Sequence, residues 1–400
     1  MRIHRLTLAN FRNYDRLDLD LPPGVSVFWG DNAQGKSNLL EAVYYLAMMR
    51  SFRAGSDRDL LAWSEVDDPL RFTRIAARLV RAGDGFSLDI VLRQESNAEA
   101  PNGGALTKRI KVNDVPRRAI DTVGTTLAVL FSPRDLDLVD GSPSVRRRYL
   151  DITLSQEDPR YCRGLAHYNR VILQRNHLLR SIRDRGTKPD EIRFWDDEMI
   201  EAGAYLVARR HETVVELARA SQGYYAELGQ TDEILGIGYK NNVLEGHESG
   251  PVTLDEIRSA FAARLEALAT REVTLGASLV GPHRDDLTFH LDDHAVAEFG
   301  SRGQQRTVAL ALKLAEMEHL SQGTGELPIL LLDDVFSELD PHRRQRVLDT
   351  IKPEQQVLIT STEPTALKGY NGVSTSFEIV GGRVVRRLAS DVGGAVAGTI

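Results

Sequence analysis

The sequence predicts an α/β fold interrupted by an inserted helical lobe, and three observations lead there. Short alternating or wholly apolar segments dominate residues 1–140 and return in 273–390. Between them, residues 141–272 carry long apolar stripes at helical spacing. Early in the chain a glycine-rich loop separates an apolar run from an apolar-periodic one, and a second apolar run much later ends in two aspartates.

Taken in order, the first elements read as strands. Leu17, Leu19 and Leu21 alternate with Asp18 and Asp20, the period of a half-buried strand. Pro22-Pro23-Gly24 breaks the chain, and Val25 to Trp29 forms a short apolar run closed by Gly30. Strands are expected at about 71–80 and 86–93, and Arg109 to Val112 with Asn113-Asp114 reads as a strand and its turn. The polar, turn-rich residues 94–106 read as a mobile loop. From about 143 helices take over. One stripe runs Tyr161, Leu165, Tyr168, Ile172, Leu179, Ile182, and another runs Met199, Ala202, Leu206, Val214, Leu217. Thr253 and Glu256 form a capping box ahead of Ile257, Phe261, Leu265 and Leu268. These stripes are the core of the helical lobe, with no sustained heptads and so no long coiled coil. After Pro328, Ile329 to Leu332 has the composition of a fully buried parallel strand. The Gly-rich residues 391–400 read as a flexible tail.

The composition excludes several classes. The chain has 400 residues, 42% hydrophobic and 27% charged, with 50 Lys+Arg against 57 Asp+Glu and a net charge of −7. That is ordinary globular composition, not disorder, collagen or a disulfide scaffold. A single cysteine, Cys162, is expected as a small buried side chain on a helix. No 18-residue apolar run and no signal-like start are present, so a cytoplasmic chain with no membrane partner is expected. The acidic total conceals an asymmetry: residues 146–188 hold eleven Lys and Arg against four acids. Arg146, Arg147, Arg148, Arg170 and Arg175 are therefore candidate DNA-backbone contacts, weighed against an ordinary solvated helical face. Few aromatics and no stacking platform favour duplex over single strands.

Gly30-Asp31-Asn32-Ala33-Gln34-Gly35-Lys36-Ser37 fits the phosphate-binding loop G-x-x-x-x-G-K-[ST], between an apolar strand and a helix containing Asn38, Leu39, Leu40 and Val43. Glycines allow a tight loop whose N–H groups converge on phosphate oxygens, and the helix N-terminus adds positive potential. Lys36 supplies charge for the β- and γ-phosphates of a nucleotide, and Ser37 a hydroxyl for Mg²⁺. Asp333, at the end of Ile329 to Leu332, is the expected second Mg²⁺-side ligand, and Asp334 the group that polarises attacking water.

Three further segments resemble ABC-type ATPase heads. Ser301-Arg302-Gly303-Gln304-Gln305 is similar to the signature motif, with Arg302 in place of a glycine. Ser337-Glu338-Leu339-Asp340 resembles the D-loop, and Thr360-Ser361 stands where a switch residue lies. The resemblance implies that Ser301, Gly303 and Gln304 act in trans on ATP held by a second copy. It thus implies an ATP-dependent homodimer, with Asp340, Thr360, Ser361, His283 and Arg284 as switch or dimer candidates.

The stretch from Lys36 to Ser301 is longer than in transporter cassettes and too short for the coiled coils of chromosome-structure ATPases. The chain resembles the RecF family of bacterial recombination mediators. The residues that carry this are Leu8 to Tyr14, Arg50-Ser51-Phe52-Arg53, Phe131 to Leu136, Arg146 to Asp151, Tyr168-Asn169-Arg170, Trp195-Asp196 and Leu279 to Leu287. Arg134 departs from the acidic residue expected there. The resemblance implies a weak DNA-stimulated ATPase that recognises gapped and double-stranded DNA and, with RecO and RecR, promotes RecA loading on single strands. A nuclease of the ABC-headed class, a non-hydrolysing DNA scaffold and a transporter subunit are the alternatives. The first lacks chain length after Asp340 for a two-metal domain, the second conflicts with the Asp333-Asp334 pair, and the third with the long insert.

Overall fold

The computed structural model describes residues 1–62, 71–94, 104–186, 191–244, 252–363, 372–389 and 397–398. Most of the loop at 94–106 and of the tail at 391–400 lies outside the described residues. The elements, in order, are β1 (Arg2–Phe11), β2 (Tyr14–Asp20), β3 (Val25–Trp29), α1 (Lys36–Met48), β4 (Phe72–Arg81), β5 (Asp84–Gln94), β6 (Leu106–Val112), β7 (Val115–Arg117), α2 (Ala119–Thr122) and β8 (Ala128–Phe131). They continue with α3 (Asp137–Asp140), α4 (Pro143–Glu157), α5 (Pro159–Arg185), α6 (Ile192–Gly229), β9 (Leu235–Lys240), α7 (Leu254–Leu275), β10 (Asp286–Leu291), β11 (His294–Ala295), α8 (Val296–Phe299) and α9 (Arg302–Thr324). The last are β12 (Ile329–Asp333), α10 (Pro341–Asp349), β13 (Val357–Ser361), β14 (Val373–Val380), β15 (Arg383–Ala389) and β16 (Ala397–Gly398).

Two compact units result, Met1–Arg134 with Glu316–Ile400, and Asp135–Ala315. The first unit holds two sheets. One has the order β16-β15-β14-β3-β13-β12-β8, with β14 through β8 parallel. The apolar runs in β3, β8, β12 and β13 are buried along nearly their whole length, as strands covered on both faces must be. The other sheet is antiparallel, ordered β2-β1-β4-β5-β6-β7. Its alternation buries Leu17, Leu19, Ile75, Leu88, Ile90, Leu92 and Ile110 on one side. The expected turn after β6 is present, with Asn113 and Asp114 both at positive φ (48° and 62°), the geometry of a two-residue hairpin. Helix α1 packs against β4, β8, β12 and β13, which is why it is apolar almost all round.

The second unit is built on α5, α6 and α7. Tyr161, Tyr168, Met199, Leu206, Val207, Phe261 and Leu265 form its core. The stripe from Met199 to Leu217 lies on one 38-residue helix. Both halves of the Thr253–Glu256 capping box form at the start of α7. Residues 273–315, expected with the C-terminal ATPase segment, pack in this unit. The reason is that β10 pairs with β9, and Asp285 accepts a hydrogen bond from Arg210 of α6 at 2.8 Å. Cys162 is half-buried, not sealed in the core as expected, because α5 turns that face partly to solvent. Among the described residues no helix is long and apolar enough to cross a membrane.

Phe261 is fully buried among Tyr168, Met199 and Val280. Phe261→Ala is expected to lower stability by about 3–5 kcal/mol through lost burial and a cavity, read as a lower denaturant midpoint followed by helical circular dichroism.

Candidate nucleotide-binding site

Strand β3 delivers the chain into the loop 30–35, and α1 begins at Lys36. Gly30 adopts φ 145°, and a Cβ there would overlap the carbonyl oxygen of Ile379 on β14. Gly35 is the N-cap of α1 and gives the helix no side-chain cap. The first-turn N–H groups therefore lack a side-chain acceptor, the arrangement that suits an anion. Asp31, Asn32 and Ala33 are exposed at the loop's tip.

Neighbours the sequence reading did not assign to the site hold the loop from outside. Asn13, in the turn between β1 and β2, donates to Gln34 O at 2.9 Å and accepts from Asn38 Nδ2 at 2.6 Å. Tyr14 OH donates to Gly35 O at 3.0 Å. Gln34 takes Gly381 N on its side-chain oxygen (2.7 Å) and Gly382 N on its carbonyl (2.9 Å). Gly382 is at φ 73°, and a Cβ there would overlap Asn13 O. The only sequence signal was the Leu8 to Tyr14 string, whose function no spacing rule reveals. Inside the loop, Lys36 Nζ donates to Gly30 O (2.6 Å) and Asp31 O (2.7 Å). Burial lowers its pKa against the opposing pull of Asp334, Asp31 and Asp333.

The carboxylate expected opposite Ser37 is in place. Ser37 Oγ donates to Asp333 Oδ1 at 2.6 Å. Thr360 Oγ1 donates to the same oxygen at 2.9 Å and accepts from Asp334 N at 2.9 Å. Thr360 lies within β13, in register with Asp333. Ser361 Oγ accepts from Glu363 N at 3.1 Å. Asp334 sits at φ 54°, where the chain leaves β12. A hydroxyl beside a carboxylate is an all-oxygen donor set suited to a hard divalent ion, so these residues fit Mg²⁺.

Behind α1 lies a charge cluster. Glu41 is fully buried and accepts from Arg12 (2.9 and 2.7 Å), Arg53 (3.0 Å) and Ser51 Oγ (2.5 Å). Burial pushes its pKa up, but the bonds from Arg12, Arg53 and Ser51 outweigh this and leave it below the usual carboxylate value. Arg53 also donates to Asn38 Oδ1.

The signature segment lies in the second unit. Ser301 Oγ accepts from Gln304 N (3.2 Å), and Ser301 N donates to Gln304 Oε1 (2.8 Å), a reciprocal cap at the start of α9. Arg302 pairs with Asp140 at 2.7 Å, and Gln304 also donates to Glu233 at 2.8 Å. Ser301 and Gly303 are exposed. Asp340 caps α10, accepting Arg343 N at 2.9 Å. His283 Nδ1 meets Tyr168 OH at 2.8 Å, and burial lowers its pKa to about 4. Arg284 is exposed and donates to Ser278 O at 2.9 Å.

Two candidate DNA contacts need correction. Arg146 is buried and holds both oxygens of Asp286 (2.6 and 2.9 Å). Arg175, 2% exposed, is spent on Asp196, Ser278 and Glu272. Neither guanidinium is open to a duplex, and both are internal ties of the helical unit. Arg147 is half-buried, while Arg148 and Arg170 are exposed. Among the described residues no cluster of three metal-ligating side chains occurs.

A model of the RecF/RecN/SMC N terminal domain matches residues 2–379. A DNA replication and repair protein RecF from Herpetosiphon aurantiacus is 44% identical over 372 residues, covering 91% of this chain and 94% of its own. Another, from Chloroflexus aggregans, is 45% identical over 371 residues, covering 90% and 93%. A solved structure described as the recombination mediator protein RecF-ATP in the RecFOR pathway superposes with TM-score 0.83 at 33% identity, covering 96% of each chain. An Smc head bound to a winged-helix domain of ScpA gives TM-score 0.50 at 13% identity, a likeness of fold alone.

The Glu41 cluster gives a prediction with a definite sign. A carboxylate whose folded pKa is depressed stabilises the fold above its unfolded value near 4.5 and loses that contribution as pH falls through the folded value. Glu41→Gln is expected to cost about 2–3 kcal/mol at pH 7. The gap from wild type should close in acid, as read by urea unfolding at both pH values.

Proposed function

The chain belongs to the RecF family of DNA replication and repair proteins, and from that premise we propose that it is an ATP-switched clamp on gapped duplex DNA. The ABC-type head and ATP as the ligand of such heads are common ground with the relatives. The observation that carries the reading further is the meeting of Ser37, Asp333 and Thr360 beside the uncapped start of α1.

In this reading the α1 N–H groups and Lys36 take the phosphates of ATP. Lys36 releases the carbonyls of Gly30 and Asp31 to do so. Ser37 and Asp333 would hold Mg²⁺, which would supply charge to neutralise the phosphates. Asp334 orients and accepts a proton from the attacking water, and Thr360 holds Asp334's backbone so that the carboxylate stays aimed. The exposed hydroxyl of Ser301 and the N-terminus of α9 face the γ-phosphate of a second copy's nucleotide, so ATP joins two heads and hydrolysis separates them. Gln304, already held by the Ser301 cap, keeps that segment in shape for the task.

DNA engagement falls to exposed cations of the helical unit, Arg148 and Arg170 first, since Arg146 and Arg175 are committed inside. RecR with RecO is the proposed protein partner, and RecA loading on single strands the outcome, in a cytoplasmic, nucleoid-associated setting. Hydrolysis is slow and stimulated by DNA.

Lys36→Met removes the charge for the phosphates, so ATP-dependent dimers and ATP-dependent duplex binding are both expected to vanish. Asp334→Asn keeps the fold but stalls hydrolysis, so dimers should persist with ATP. Sedimentation with and without Mg-ATP, alongside duplex titrations across salt, reads both. Wild-type protein that stays monomeric in saturating Mg-ATP would sink this reading.

A further inference from the structure

The string Leu279 to Leu287 makes its bonds within the second unit. In the fold its two aspartates act as internal ties. Asp285 takes Arg210 (2.8 Å) and Tyr239 OH, and Asp286 takes Arg146. The loop's remaining surface, with α4, α6 and β9, lines a cavity of about 880 Å³ inside the second unit. That volume lies in the range of small-ligand sites.

The charge in this cavity is one-sided. Arg147, Lys240 and Arg284 project on its wall. Arg147 uses Nη1 on Asp285 O (2.7 Å), and Arg284 uses Nε and Nη2 on Ser278 O. Each guanidinium therefore keeps donors in hand, and both are held in place by the backbone of the same string. Lys240 is exposed, and among the described residues its ammonium meets no acceptor. The one carboxylate on the wall, Asp286, has both oxygens on Arg146. The His283 ring is occupied at both nitrogens, by Tyr168 OH and Ser278 O. Ser142 and Ser144, at the start of the 15-residue α4, also line it; their hydroxyls share one hydrogen bond of 2.7 Å, which leaves one hydroxyl proton to donate. Val214, Val215, Ala218 and Ile237 form the apolar part of the lining.

A concave site with three unneutralised cations, a hydroxyl donor and an apolar wall selects a ligand with a compact anion joined to a less polar body. We propose that this cavity binds a nucleotide through its phosphate. The phosphate lies against Arg147, Lys240 and Arg284, and the sugar and base against the Val214–Ile237 wall. The nucleotide is either free or the phosphorylated end of a DNA strand. The strand-end form rests on the DNA reading above, and the free form does not.

The test uses the full chain with its phosphate-binding loop filled by excess non-hydrolysable ATP analogue. Thymidine 5′-monophosphate and inorganic phosphate are titrated calorimetrically. In parallel, gapped duplexes with a 5′-phosphate or a 5′-hydroxyl at the gap are compared by fluorescence anisotropy, and a duplex closed at both ends by hairpins reports DNA binding without strand ends. The expected result is saturable binding of the mononucleotide, a 5′-phosphate preference on the gapped duplex, or both. Each should fall about tenfold in Arg147→Gln and Lys240→Gln, the loss of one charge-assisted contact. Thermal melting certifies that both variants fold. Mononucleotide binding with no 5′-phosphate preference supports the free form, and a 5′-phosphate preference supports the strand-end form. Absence of both in wild type overturns the proposal, as does binding that both folded variants leave undiminished. Loss of binding to the hairpin-closed duplex with mononucleotide binding intact would fail the DNA reading alone.

Discussion

One oxygen of Asp333 receives both the Ser37 hydroxyl and the Thr360 hydroxyl, and the rest of the first unit is arranged to allow it. The three residues come from α1, β12 and β13, distant in sequence. They meet only if β3, β13 and β12 run parallel and in register, so that strand ends and the helix start fall on one edge of the sheet. This is the edge at which open parallel sheets place their ligands. A one-residue slip of β12 would turn Asp333 to the other face and bring Leu332 to the site. That slip is costly because it would leave the buried Asp333 carboxylate without the Ser37 and Thr360 hydroxyls.

The loop ahead of α1 is held by a second constraint. Its glycines sit where a side chain would strike Ile379 or Asn13, so the backbone of β14 and the Asn13 side chain in the β1–β2 turn approach closely enough to mould it. Asn13, Tyr14 and Gln34 then satisfy the outward-facing carbonyls and amides. The inward N–H groups are left as donors for a ligand. Such pre-organisation removes reorganisation cost when charge arrives. Glu41 extends the same support behind α1, tying Arg12 and Arg53 into a buried pairing that a neutral substitution would leave unmatched.

Much of this was legible in the residues. Strand alternation, the helical stripes and the Thr253 cap follow from spacing, and the pairing of Ser37 with Asp333 from the chemistry that a phosphate-binding loop requires. What failed is instructive in the same terms. Arg146 and Arg175 read as part of a basic run, but each lies on the inward ladder of its helix. Arg146 precedes Tyr149 and Leu150 by three and four positions, and Arg175 follows Val171 by four and precedes Leu179 by four, all of them buried. Periodicity marked those positions as interior, while charge composition marked them as surface, and periodicity was the better guide. Their acidic partners, Asp286 and Glu272, are far away in the chain, so no local pattern could announce the pairing. The division at Ala315 and Glu316 was equally hidden, since it falls inside the single helix α9.

The central claim is that a working nucleotide site is composite, with Lys36 and Asp333 from one copy and Ser301 from another. Mixing two inactive variants tests it directly. Lys36→Met retains a sound signature segment, and Ser301→Arg retains a sound phosphate-binding loop. ATP turnover is measured for each alone and for an equimolar mixture. The account predicts negligible turnover for each alone and recovered turnover on mixing, because mixed dimers rebuild one complete site. Two inactive variants that stay inactive together, although both fold and Ser301→Arg still binds ATP, would contradict it.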